Sequence, residues 1–197
     1  MNFTKYVFLV FIFAQTAFAQ SAWQEAWHKR ERTEQIGMKV LAGWSLANMA
    51  VSGIAIGQAQ GSTRSFHEMN LYWNAVNLGI AGLGFINTAR ARKRTAPPTL
   101  SEALEAQKSV EKVLLFNTGL DMAYVASGLW LLEKAKNQPA QQDRFRGFGQ
   151  AVIVQGGFLM LFDLTNYLVH SRNAPRLQKA LDHVSVTTNG VGMRWEF

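Results

Sequence analysis

Four stretches of this chain hold almost no charge. Val40 to Thr63 is 24 residues without Asp, Glu, Lys or Arg, and Met69 to Ala89 is 21 more. Val113 to Leu132 is 20 residues with only Asp121, and Gly147 to Ser171 is 25 with only Asp163. A hydrocarbon layer of roughly 30 Å is crossed by about 20 helical residues at ~1.5 Å each. All four stretches are long enough.

A soluble four-helix bundle is the competing arrangement. Its helices would carry Lys, Glu or Arg on one face at every turn. Here those positions hold Leu, Ile, Val, Phe, Ala and Gly, with Asn, Gln and Ser as the polar residues. Gly53, Gly57 and Gly61 are spaced by four, as are Ala75 and Gly79, a pattern that suits close helix contact in lipid. The expected fold is therefore all-α: a transmembrane four-helix bundle over residues 20–170, with spans near 40–60, 69–89, 113–132 and 147–170.

The connections predict two helical hairpins. Residues 58–64 join the first pair, and a polar stretch across Pro139 joins the second. Between the hairpins lie Arg90, Arg92, Lys93 and Arg94, read as a cluster facing lipid headgroups. Thr99 with Glu102 forms a capping box, so the third helix begins near Leu100 and its first turns protrude as an amphipathic stalk. Trp23 and Trp27, one turn apart, sit where an interfacial aromatic pair belongs. Lys39-Val40-Leu41 and Met49-Ala50 recur 73 residues later as Lys112-Val113-Leu114 and Met122-Ala123. The halves are thus expected to be repeats, inserted in the same direction.

Residues 1–19 have the form of a cleavable signal peptide: Lys5, an apolar run from Tyr6 to Ala14, and Ala17-x-Ala19. Residues 171–197 are a C-terminal tail, in which 183–197 alternates around Asn189-Gly190 as a short hairpin or is frayed. The net charge of +7 would by itself point to nucleic acid. With the basic residues placed beside apolar spans, it becomes a topology signal. Fourteen Lys and Arg fall on the side of the mature termini and five (Arg64, Lys134, Lys136, Arg144 and Arg146) on the other. Positive-inside makes the first side cytoplasmic, whereas a signal peptide makes it periplasmic. The leading segment is taken to decide: a bacterial inner-membrane protein with its mature N-terminus in the periplasm.

Each span carries a polar stripe at helical spacing. The stripes are Trp44, Asn48 and Ser52; His67, Asn70, Asn74 and Asn77; Asn117, Asp121 and Tyr124; and Gln155, Asp163, Asn166 and His170. Lipid cannot satisfy such groups, so they should face the other helices or a wet cavity. Counted from the ends of the uncharged stretches, Asn48, Asn77, Asp121 and Gln155 share a middle level. Trp44, Asn117, Asp163 and Asn166 form a second layer nearer the termini, with Asn70 and Asn74 towards the other side. An acid at helix centre costs about 2.5–3.5 kcal/mol on insertion scales, so Asp121 and Asp163 weigh most. The stripes serve either as a network fixing helix register or as a site for a ligand, ion or proton.

The segments Phe66-His67-Glu68-Met69-Asn70 with Trp73-Asn74-Ala75-Val76-Asn77, and 147–150 with 155–159 and Phe162-Asp163, resemble an uncharacterised family of small bacterial four-helix membrane proteins. It is a domain of unknown function found mostly in Bacteroidota, and the likeness covers roughly residues 35 to 170. The resemblance implies a small helical membrane protein and no activity, and it transfers no functional residue.

Catalytic motifs are missing. His67-Glu68 opens like a zinc-protease helix, but Leu71 stands where the second His belongs. No Gly-x-Ser-x-Gly elbow and no phosphate-binding Gly-rich loop occurs. The histidines lie at mismatched depths for a haem, and the chain has no cysteine. The expectation is a non-enzymatic protein without a cofactor, metal or nucleic-acid partner. Its partners are the bilayer, a small ligand or ion centred on Asp121, and a membrane protein or second copy. The alternative role is an accessory or scaffold protein that docks through its stalk and tail.

Overall fold

The computed structural model describes residues 3–91, 93, 99–172, 175, 185–187 and 190–192, with side chains from Gln24 onward in the helical part. Four long helices make up nearly all of it: α1 (Phe3–Ala55), α2 (Gly61–Ala91), α3 (Leu100–Lys136) and α4 (Gln142–Ser171). A 3-10 turn at Pro139–Gln141 leads into α4. The α1–α2 connection is a tight turn ended by Gly61, whose φ of +56° lies in the left-handed region. Thr99 caps α3 as expected: its side chain accepts from the Glu102 amide while the Glu102 carboxylate accepts from the Thr99 amide. Two three-residue strands, β1 (Ser185–Thr187) and β2 (Gly190–Gly192), pair antiparallel with Val186 opposite Val191. Gly190 therefore belongs to the second strand and not to the turn.

The architecture is all-α and built as two hairpins. Helix α4 packs against α3 along most of its length, and α2 lies on both α1 and α4. Asn70 meets Gln155 and Ser62 meets Gly147, both at an offset of 85, so α2 and α4 run parallel. Helices α2 and α3 barely touch.

Glycines zip one end of this arrangement together. A Cβ on Gly128 would stand 2.8 Å from the Gly149 carbonyl oxygen, and one on Gly147 2.6 Å from the Phe66 amide nitrogen. At the connector end, backbone therefore lies on backbone. Gly53, Gly57 and Gly79, expected at helix contacts, have nothing within 4 Å of a Cβ. Four-residue spacing marks one face of a helix without saying that the face turns inward. At the other end side chains make the contacts: Met38 lies against Gly84, and Gln107 donates to the His170 carbonyl at 2.7 Å.

The stalk does not stand free. Ala103 is buried against Ala26, with Trp27, Leu100 and Leu104 packed around them. Beside this contact Arg30 lies over the Trp27 ring at 4.2 Å and bonds Glu34 at 2.7 Å. Burial raises the Glu34 pKa, and the neighbouring Arg30 only partly offsets this. The Trp23 side chain, Arg92 and Arg94 lie outside the described residues, while Arg90 and Lys93 are exposed at the end of α2.

The distribution of polarity is inverted. Among the described residues, eleven buried side chains are polar or charged, while seven are apolar, five of these being alanine. Twenty-four large apolar side chains are exposed. Among the described residues, only Pro139–Ser171 is by itself long and apolar enough to cross a bilayer, where four such helices were expected. In the other three helices, inward Asn, Ser, Trp and His lower an average taken over the whole circumference, although the outward face is apolar.

Candidate functional site

The polar stripes gather into two groups, not one. The first is an amide network at the α1–α2–α4 junction. The Trp44 indole N–H donates to Gln155 Oε1 at 2.8 Å. Gln155 Nε2 donates to Asn70 Oδ1 at 2.6 Å and to Asn48 Oδ1 at 3.3 Å. Asn70 Nδ2 donates to Asn48 Oδ1 and Ser52 Oγ, both at 3.2 Å, and Ser52 Oγ shares a bond of 3.1 Å with His67 Nδ1. The Gln155 amide is satisfied at both ends by partners from two helices, Trp44 and Asn48 on α1 and Asn70 on α2. Such a closed network fixes register, the role of buried amides in helix packing.

The Gln155→Leu variant tests that role. It nearly keeps the volume while leaving the Trp44 N–H and Asn70 Oδ1 unpaired. At about 0.6 kcal/mol per bond in membranes, three lost bonds amount to roughly 2 kcal/mol. A denaturation midpoint equal to wild type would show that the network is not holding the helices.

The second group lines a slot of about 950 Å³ among all four helices. Asp121 and Asp163 are neighbours there, with Asn117 beside them. Asn77 lies in the same slot, 3% exposed, with its Nδ2 unpartnered. Asn166 also lines it, donating to its own helix at the Phe162 carbonyl. Towards the termini the lining continues through His170, Arg30 and Glu34. Trp73 and Tyr124, edge to face at 4.9 Å, lie at the other end. Phe162, in the lining, stacks on Phe158, which lies flat on Trp44 at 3.9 Å, so an aromatic column joins the two groups.

The levels read from the sequence need correction. Asn48 and Gln155 do meet, but Asn70 joins them in place of Asn77, and Trp44 belongs to this group. Depth was counted from Met69, the first residue after Glu68. Helix α2 starts eight residues earlier, because Arg64 and Glu68 pair with each other at 3.1 Å within its first turns. Counting from the turn places Asn70 level with Asn48, and Asn77 two turns further along. Asp121 turns to Asp163, not to Gln155. Side chains lean towards their own helix N-terminus, so these two acids on antiparallel helices lean together. Asn74 is fully buried, with its Nδ2 on the Asn70 carbonyl and its Oδ1 unpartnered, outside both groups. Asn70, Ser52, His67 and His170 all belong to the stripes, whereas Arg30, which precedes the first uncharged stretch, enters the slot only through the packing of α1.

A family model described as a family of unknown function, DUF6992, matches residues 40–164, and the chain belongs to this family. No curated protein and no solved structure matches it.

Proposed function

We propose that this DUF6992 protein is an integral inner-membrane protein of bacteria that binds a small solute in its slot, without catalysis. The inverted polarity carries the reading: amides and carboxyls inside, Leu, Ile, Val and Phe outside. In water, twenty-four exposed large apolar side chains would drive association. In hydrocarbon they are the matching surface. Cationic and aromatic side chains also meet near both ends, with Lys134 over Trp130 and Phe145, and Arg30 over Trp27. Such pairs suit the headgroup level. Along α3, Lys112 and Glu133 are 21 residues apart, or ~31 Å of helix, close to the hydrocarbon thickness.

The slot is far larger than a proton or bare ion needs, which favours a solute. Docking through the stalk is the weaker reading, since Ala103 and Leu104 on the stalk already cover α1. The leading segment with Ala17-x-Ala19 supports a periplasmic position for the mature termini. Fractionation tests the membrane assignment: the protein is expected to sediment with membranes, resist an alkaline wash and dissolve in detergent. A phosphatase fused after Phe197 is expected to be active. Recovery in the soluble fraction would overturn the membrane assignment, and a fluorescent cytoplasmic fusion would reverse the orientation.

A further inference from the structure

Six buried side-chain atoms among the described residues lack a hydrogen-bond partner, and four of them belong to residues that line the slot. They are Arg30 Nε, Asn77 Nδ2, one oxygen of Asp121 and His170 Nδ1. The amide network nearby leaves none of Gln155, Asn70 or Asn48 open in this way. Unmet hydrogen-bonding capacity is therefore concentrated where there is room for a ligand; the Asp121 oxygen accepts, whereas Arg30 Nε and Asn77 Nδ2 donate and do not bear on a positive group.

The charge of the slot is opposite to that of the chain. The whole sequence carries +7. The slot is lined by Glu31, Glu34, Asp121 and Asp163 against Arg30 alone. Arg30 is already engaged, at 2.7 Å from Glu34 and over the Trp27 ring. A cation is thus the complementary ligand. The neighbouring carboxyls of Asp121 and Asp163 supply the acceptors for a positive group, while Trp73, Tyr124 and Phe162 in the lining offer ring faces to it.

Access runs sideways. The slot opens between α2 and α3, and its lining includes Val76 at 63% exposed, with Tyr72, Ile80 and Val113 also exposed. In a bilayer that opening meets acyl chains, not water. A volume of about 950 Å³ suits a molecule of drug size and not an ion. We infer that the slot binds an amphiphilic organic cation drawn laterally from the bilayer, its ammonium group on Asp121 and Asp163 and its hydrocarbon part between α2 and α3. This rests on the membrane reading above.

The test uses the full chain in phosphatidylcholine nanodiscs with three probes that differ only in their head: dodecylamine, dodecanol and dodecanoic acid. Binding is followed by tryptophan fluorescence, at a pH where the amine is charged and the acid ionised. Dodecylammonium is expected to bind at least about tenfold tighter than dodecanol, the scale of a hydrogen bond to a charged group. The isosteric Asp121→Asn/Asp163→Asn double variant is expected to abolish that preference and leave dodecanol binding unchanged. Val76→Trp, at the exposed rim, is expected to weaken both and locates the binding in the slot. Equal affinities for the three heads, a preference for dodecanoate, or an unaltered preference in the Asp121→Asn/Asp163→Asn double variant would overturn the cation assignment alone. Binding of none of the three would overturn the slot as a ligand site.

Discussion

Gly147→Leu is expected to abolish the folded bundle. Any Cβ at this position runs into the Ser62 carbonyl oxygen and stands 2.6 Å from the Phe66 amide nitrogen. Neither can move as a side-chain tip would, since both belong to the backbone of α2. Overpacking in a closely filled core commonly costs about 1–3 kcal/mol, and a leucine wedged between two backbones belongs at or beyond the top of that range. The contact it would open also sets the α2–α4 register, on which the Asn70–Gln155 bond depends. Gly79→Leu is the control, because nothing lies within 4 Å of a Cβ there. Thermal unfolding in detergent should leave Gly79→Leu near wild type and give little folded Gly147→Leu. Equal midpoints for the two would mean that α2 and α4 do not touch at Gly147.

Leu161→Arg has an outcome whose sign depends on the solvent. Leu161 is 64% exposed on the middle turns of α4 and sits among other outward apolar side chains. On the outside of a soluble bundle, arginine at such a place would alter stability by about 0.5 kcal/mol or less and would improve solubility. Facing hydrocarbon, it is expected to cost about 2.5–3.5 kcal/mol at helix centre. The expected result is a sharp fall in the membrane-inserted, folded fraction, read by detergent extraction and size-exclusion chromatography. Better yield of a monodisperse Leu161→Arg protein in buffer alone would defeat the bilayer assignment.

Much of the helical framework was legible before the fold was known. Charge-free stretches marked the helices, and Thr99 with Glu102 marked the start of α3 to the residue. The stripe from His67 to Asn77 correctly named an inward face of α2. What failed was the third coordinate. Arg64 and Glu68 looked like the edge of a span, yet they neutralise each other on the helix and let α2 begin earlier. The glycines at 53, 57 and 79 looked like contact points, whereas the close approaches fell at Gly128, Gly147 and Gly149.

By itself the sequence determined that four helices would form and which side of each would be polar, because periodicity and charge spacing are local properties of one helix. Which polar groups met was decided only by the tertiary structure. Gln155 found Asn70 and Asp121 found Asp163 because of register between helices, set by backbone contacts at glycines on one side and by the lean of side chains on the other. The slot likewise belongs to no single segment. It exists because α2 and α3 both pack on α4 and leave a gap between themselves, and that gap turns two costly acids into a place where a cation fits.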